Sequence, residues 1–307
     1  MIEVHEMQVF LAAAEEENFS AAARRLHLSQ PAISFHIQAI EQRLNVQLFQ
    51  RIGKRIALTE AGRDLLPMAR EMVNLSSHIE ENMCAKQGVV KGRLLIGCST
   101  SPGKYILPRL VGAYHQRYPD VQVSVEVVSR QMVEDKLVDQ EIHLGVFGLC
   151  PKSKQLECFP LFVDELALVV AADHPWAARG KIAPTQLRDA NWILREKSAA
   201  TRHVIMERLA EQGIAPEDLR VVMELGSPEA VESAVEAGHG VSLVSRVAAQ
   251  RGLELGRIKV VAIEGMSVQR EILIARNRLR ACTCAQLRFR EFLESANGQQ
   301  VIASVIG

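Results

Sequence analysis

Ala21-Ala22-Ala23-Arg24-Arg25-Leu26-His27-Leu28-Ser29-Gln30-Pro31-Ala32-Ile33-Ser34 is the stretch on which the reading of the fold turns. The alanine run predicts a short helix ending at Leu26, with Ser20 as its expected cap, and His27-Leu28-Ser29 is a tight turn. Ser29 then offers a capping hydroxyl and Pro31 a fixed φ for the first turn of a further helix. Two helices joined by so short a turn make a helix-turn-helix. On the second helix Ile33, Ile37, Ile40 and Leu44 recur at steps of four, three and four, so they are expected on one inward face. The opposite face then carries Gln30, Pro31, Ser34, Phe35 and Gln38, short polar groups and one ring that suit a DNA major groove. Gln38 can pair with an adenine edge, Ser34 can donate or accept, and Phe35 can pack on a thymine methyl. A packing role for Phe35 against the neighbouring helix fits the pattern equally well.

Upstream, Met7, Phe10, Leu11 and Ala14 have helical spacing until Asn18-Phe19 interrupts them, and no strand is evident before the turn-prone Arg51–Arg55. Charge is uneven although the 307-residue chain has a formal net charge of zero. Residues 1–19 hold five acids and no Lys or Arg, whereas residues 20–56 hold Arg24, Arg25, Arg43, Arg51, Lys54 and Arg55 against Glu41 alone. Such a basic block suits phosphate neutralisation, and a solvated face would look the same.

From Thr59 to about Gln87, Leu65, Met68, Met72, Leu75, Ile79 and Met83 form one apolar stripe on a long helix, with Pro67 expected to bend or break it near its first turns. So long a stripe is best buried against a second copy of the chain, the alternative being packing on the C-terminal part. Beyond Gly92 the period changes. Strands at Leu94–Cys98, Val121–Val128 and His143–Phe147 alternate with helices at Ile106–Tyr118 and Gln131–Gln140, a βαβαβ pattern. Strands are expected again at Leu166–Ala171, Trp192–Leu194, Val241–Val244, Lys259–Ile263 and Glu271–Ala275. Helices are expected at Ala199–Gln212, Pro228–Ala237 and Cys284–Leu293. The fold class is therefore α+β in two parts. A DNA-binding module spans 1–58, a linker and dimerisation helix 59–89, and a two-lobed α/β module 90–307. Lobe I takes about 90–164 and 265–295, lobe II about 165–264.

Two places in that module gather polar groups at a helix start. Ser99-Thr100-Ser101-Pro102 follows the first strand, and Ser198-Ala199-Ala200-Thr201-Arg202 opens a helix in the other lobe, with Arg202 near enough to supply charge. Each alone reads as an N-cap; on opposite lobes they outline a ligand cleft.

Ala21 through Ser34, with Ile37 to Leu44, Leu48-Phe49, Arg51 and Leu58-Thr59-Glu60-Ala61-Gly62, resembles the winged helix-turn-helix signature of the LysR-type transcriptional regulators over some sixty residues without a gap. That resemblance implies a sequence-specific regulator of transcription that binds double-stranded DNA. Ser29 and Ser34 would lie at the DNA, Arg51 and Arg55 in or beside the wing would meet phosphate or the minor groove, and Thr59 would cap the linker helix. Phe35 and His36 stand where many relatives carry Arg and Gln, so base preference does not carry over. The C-terminal module would resemble periplasmic binding proteins and hold an effector between its lobes through Ser99, Thr100, Ser101, Ser198 and Thr201, with Gly148 presenting backbone. Gly97 through Pro108 is most similar to the branches governing sulfur assimilation and carbon dioxide fixation, which implies a small anionic or phosphorylated metabolite. The resemblance also implies self-association as a dimer of dimers and leaves RNA polymerase as a further candidate partner.

The sequence offers no paired-carboxylate motif, GxSxG elbow, phosphate loop or HExxH spacing, so no catalytic residue, cofactor or metal is expected. Cysteines at 84, 98, 150, 158, 282 and 284 fall in no CxxC pair and read as buried or incidental thiols rather than a metal or redox site. With no signal-like start and no apolar run of ~18 residues, a cytoplasmic protein without a membrane partner is expected.

Overall fold

The computed structural model describes residues 1–52, 55–86 and 89–306 and divides into two units. The first unit begins with α1 (Val4–Glu16), α2 (Phe19–Leu26) and α3 (Gln30–Leu44). The α2 cap is Asn18, whose side chain accepts from Ser20 N at 2.8 Å and Ala21 N at 3.1 Å; Ser20 itself is one residue inside the helix. Ser29 caps α3 as expected, accepting from Ala32 N at 3.3 Å. Ile33, Ile37 and Ile40 are buried with Met7, Phe10, Ala22 and Leu48 in one core, but Leu44 at the helix end is exposed.

A hairpin of β1 (Phe49–Ile52) and β2 (Arg55–Leu58) follows, antiparallel from Phe49↔Leu58 to Ile52↔Arg55. Its strands are four residues each, too short for an alternation to show, so β1 begins before the turn-prone stretch that the sequence marked. Thr59 caps α4 (Glu60–Lys86), its hydroxyl accepting from Gly62 N at 3.1 Å and donating to Gln47 O at 2.6 Å. Any side chain on Gly62 would collide with the Leu48 carbonyl, so glycine lets the helix start against the preceding segment. Helix α4 runs unbroken through Pro67, so of the expected bend or break the break does not occur. Leu65 and Met72 pack on the N-terminal core, whereas Met68, Leu75, Ile79 and Met83 are at least half exposed, between 50% and 64%.

The second unit opens with β3 (Gly92–Cys98), a helical stretch from Thr100 that includes a π-turn at Pro102–Ile106, and α5 (Leu107–Arg117). Gly103 in that turn lies where a Cβ would strike Cys98 Sγ and Val127. Next come β4 (Val121–Val127), α6 (Arg130–Val138), β5 (Leu144–Phe147) and β6 (Leu156–Ala171). The far lobe holds α7 (Pro175–Arg179), β7 (Lys181–Ile182), β8 (Asn191–Arg195), α8 (Ala200–Glu211), β9 (Arg220–Leu225) and α9 (Pro228–Glu236). It ends with β10 (Ser242–Ser245), α10 (Arg246–Glu254) and β11 (Ile258–Ile263). The chain returns through β12 (Val268–Asn277), α11 (Cys284–Glu294) and α12 (Ala296–Ile306), a last helix beyond the expected end at Leu293.

One sheet of order β4-β3-β5-β12-β6-β11-β7, with β10 also on β6, runs through both lobes. β6 and β12 are antiparallel along their length, from Asn277↔Leu156 to Val268↔Leu166, and are the two crossings between lobes. The register slips between Ile272 and Leu273, opposite Pro160 and Phe162. Proline has no N–H to give the ladder, so the strand accommodates it with a bulge. That irregularity hides the first half of β6, which the sequence reading began only at Leu166. Lobe II is packed around buried Trp192, whose Nε1 donates to Leu187 O at 2.8 Å. In lobe I, Tyr114 is fully buried and donates to Ala285 O at 3.0 Å.

Candidate functional site

In the first unit the exposed face of α3 carries Gln30, Pro31, Phe35 and Gln38, with Ser34 half-buried beside them. Gln30 Nε2 donates to Ser34 Oγ at 2.9 Å, which fixes two polar groups relative to each other. Phe35 is 69% exposed, which leaves the ring open to a partner rather than packed in the core. His36 instead sets its ring edge-on to His5 at 5.2 Å. Among the cations, Arg25 is held by Glu15 at 2.6 Å and Arg55 faces Glu17 at 3.9 Å. Arg43 pairs with Glu6 at 2.7 Å. Burial would raise the Glu6 carboxyl, but the hydrogen bonds from Arg43 and Glu3 N–H bring it below the ordinary value. The acidic N-terminus thus takes up Arg25 and Arg43, whereas Arg55, 80% exposed, meets Glu17 only at the edge of ion-pair distance. Arg24 and Arg51 are exposed and carry no ion pair among the described residues; Lys54 lies outside them.

In the second unit, parallel pairing of β3 with β5 (Cys98↔Val146) brings their carboxyl ends side by side. Ser99 N donates to Val146 O at 3.2 Å, so Ser99, Thr100 and Ser101 sit at the same sheet end as Gly148. Ser101 is buried. Across the crossing strands, α8 has Ala199 at its N-cap with no side-chain acceptor, so Ser198 is not the cap but an exposed residue ahead of it. The first N–H groups of α8 are left for another partner. Arg202 donates to Arg195 O at 2.8 Å and pairs with Glu224, which ties α8 to β8 and β9.

The charge between the lobes comes from Arg270, which the sequence reading did not single out. Arg270 on β12 stands in register with Asp164 on β6. Their side chains are 3% and 1% exposed, with Nε and Nη2 at 2.8 and 2.7 Å from Asp164 Oδ2. Ser245 donates to Asp164 Oδ1 at 2.7 Å, and Arg270 Nη1 donates to Thr201 Oγ1 at 2.7 Å. A Cβ placed on Gly148 would lie 3.2 Å from Arg270 Nη1 and 3.4 Å from Ala200 Cβ, so glycine admits the guanidinium here. Arg270 Nη2 touches Asp164 without hydrogen-bond alignment and has donor capacity in hand. The sequence did contain a signal. Burial alternates along Val268, Arg270 and Ile272, and likewise along Phe162, Asp164 and Leu166, so two opposite charges fall at inward positions. Buried charges need partners.

A groove of about 840 Å³ adjoins Arg270, walled by Gly148, Leu149, Cys150, Val204 and Arg208 among others. At the other side of lobe I the π-turn reaches lobe II: Lys104 Nζ lies 2.9 Å and Tyr105 Oη 2.9 Å from Glu229 Oε1, at the first turn of α9. Burial would raise the Glu229 carboxyl, yet these bonds hold it down at about 2.

Comparison with known proteins agrees with both halves. Residues 4–63 match the bacterial regulatory helix-turn-helix protein, lysR family, and residues 87–298 match the LysR substrate binding domain. The chain belongs to the LysR family. This LysR-type protein is 36% identical over 280 residues, 89% of its length and 86% of the relative's, to a probable RuBisCO transcriptional regulator of Cyanophora paradoxa. Full-length CbnR complexed with its target DNA matches at TM-score 0.66 and 25% identity, covering 95% of this chain and 99% of CbnR. The Synechocystis PCC6803 CcmR regulatory domain in complex with 2-PG matches at TM-score 0.61 and 27% identity, covering 66% of this chain and 96% of that domain. The LysR-type chain is thus a DNA-binding transcriptional regulator with an effector-binding domain. Of the two branches that Gly97–Pro108 indicated, sulfur assimilation and carbon fixation, these relatives match the carbon-fixation one. No helix among the described residues is long and apolar enough to cross a membrane.

Proposed function

We propose that this regulator senses a small anionic, most plainly phosphorylated, metabolite in the cleft between its lobes and transmits its presence to DNA bound by α3 and the β1–β2 wing. The observation that carries the reading is Arg270: a guanidinium buried at the crossing strands, beside Thr201 and the uncapped start of α8, with donor capacity beyond Asp164 and Thr201. An oxyanion satisfies such donors, and the helix dipole adds to the attraction. Ser99, Thr100 and Ser101 from the facing lobe, with the Gly148 backbone and Ser198, complete the proposed contacts, while Arg202 supports α8 from outside. At the DNA, Arg51 and Arg55 are assigned to phosphates or the minor groove and Ser29, Ser34, Phe35, Gln38, Gln30 and Pro31 to the major groove. The exposed α4 stripe of Met68, Leu75, Ile79 and Met83 is assigned to pairing with a second copy, which sets the spacing of the two half-sites.

The test is calorimetric titration of the full chain with 2-PG, inorganic phosphate and sulfate in turn. Saturable binding of one anion that Thr201→Ala weakens at least tenfold supports the reading. Binding of none, or binding unchanged by Thr201→Ala, counts against it.

A further inference from the structure

Residues 148–155 join β5 to β6 at the groove. In this connection Cys150 is exposed and lines the groove wall, while Cys158, the third residue of β6, is partly buried. Cys150 Sγ donates to Cys158 Sγ at 3.7 Å, and both are free thiols. The loop between them is pinned at other points. Glu134 Oε1 accepts from Lys152 N at 3.0 Å and Ser153 N at 2.7 Å, and Arg130 Nη1 donates to Cys150 O at 3.4 Å. Two thiols eight residues apart are therefore held sulfur to sulfur rather than meeting by chance of a mobile loop.

We infer that Cys150 and Cys158 form a reversible dithiol–disulfide pair, a modification site on the wall of the groove beside Arg270. Closing 3.7 Å to the ~2.05 Å of a disulfide takes about 1.6 Å of sulfur movement. The exposed Cys150 is the sulfur an oxidant reaches. Cys158, pushed up to about 12 by burial and by the nearby Cys150, Glu134 and Glu157, remains a thiol and acts second. With a hydroperoxide as oxidant, the Cys150 thiolate attacks one peroxide oxygen and the O–O bond breaks. The product is Cys150 sulfenic acid, and the leaving oxygen departs as water or alcohol after taking a proton. Cys158 sulfur then attacks the sulfenic sulfur, the S–O bond breaks, and its proton leaves with the hydroxide as water. Two thiols lose two electrons and the peroxide gains them; an external dithiol reverses the change by exchange. Drawing Cys150 toward β6 displaces the wall that continues into Gly148, so the oxidised form holds the anion differently. This last consequence rests on the cleft reading above; the disulfide does not.

Lys152 and Lys154 lie between the cysteines, so trypsin puts Cys150 in peptide 137–152 and Cys158 in peptide 155–179. The reduced full chain is treated with one equivalent of hydrogen peroxide, alkylated and mapped without reductant, and in parallel titrated with 2-PG, phosphate and sulfate in both redox forms. The two peptides joined, two hydrogens lighter than their sum, holding most of Cys150 and released by dithiothreitol, are the expected result. Cys150 found as sulfinate or sulfonate with Cys158 still alkylated, or joined equally to Cys98, Cys282 or Cys284, overturns the pairing. Wild-type protein decides this, and Cys158→Ala, which should divert Cys150 to the sulfinate, checks the order of the steps. A disulfide formed in a protein that binds no anion in either form leaves the pairing standing and refutes the cleft reading. Anion binding without the disulfide does the reverse.

Discussion

Replacing Arg270 by Met tests the structural core of the cleft. In the wild type, among the described residues, Asp164 Oδ2 has Arg270 as its partner and Oδ1 has Ser245. The R270M change leaves a carboxylate, 1% exposed, with a single hydrogen bond, and takes the donor from Thr201 Oγ1. Breaking a buried pair from one side costs about 3–5 kcal/mol. The adjoining groove lets water reach the orphaned group, so the lower end, about 3 kcal/mol, is expected. At roughly 2–4 °C per kcal/mol for a unit of this size, thermal unfolding of the C-terminal unit should fall by about 6–12 °C. Removing both charges in D164L/R270M should return stability to within about 2 kcal/mol of wild type, the remainder being the stranded Ser245 hydroxyl. Neither variant should respond to the anion. Urea unfolding of the four proteins of this double-mutant cycle measures the coupling. A single-mutant cost under about 1 kcal/mol, or a double mutant no better than R270M, would refute the argument that the pair is a buried charge couple held for the ligand.

Arg51→Ala should lower the dependence of DNA affinity on salt by about one unit of log–log slope without altering site preference, whereas Phe35→Ala should relax preference at one position and leave stability within about 0.5 kcal/mol; both are read by fluorescence anisotropy at several salt concentrations. Ile79→Glu, 55% exposed on α4, should shift the chain toward monomer in light scattering while leaving the secondary structure intact. His143 is held at about 4 by burial and by the charge of Arg93, below its ordinary value near 6.5. The unfolded chain then binds a proton that the folded one refuses, so stability falls as pH drops from about 6.5 to about 4, by about 3 kcal/mol in all. His143→Gln should flatten that part of the pH–stability curve in calorimetry.

Helix-turn-helix and linker were legible because α-helical periodicity and caps are local: Ser29, Pro31 and Thr59 state where helices begin within three residues of themselves. Lobe II was less so. Strand β9 (Arg220–Leu225) is mostly exposed on a two-stranded sheet, and α7 and α10 are short segments that pack on β11 and β6, far along the chain; in lobe I the same holds for α12, which packs on α5. The misassigned cap, Ser20 for Asn18, shows that neighbouring polar residues at a helix start cannot be ordered without backbone angles, and the Ser198–Arg202 start, expected to be capped, has no side-chain cap. Arg270 and Asp164 were missed for another reason. They are 106 residues apart, and only the pairing of β6 with β12 makes them neighbours.

Footprinting the full chain on DNA from just upstream of its own gene measures directly whether its hold on DNA depends on ligand. The binding is done at fixed salt with and without 2-PG, phosphate and sulfate. The expected result is a defined protected site with two half-sites about one helical turn or a multiple apart, whose extent or affinity changes with one anion. Protection with no sequence preference, or a site that no anion alters, would contradict it.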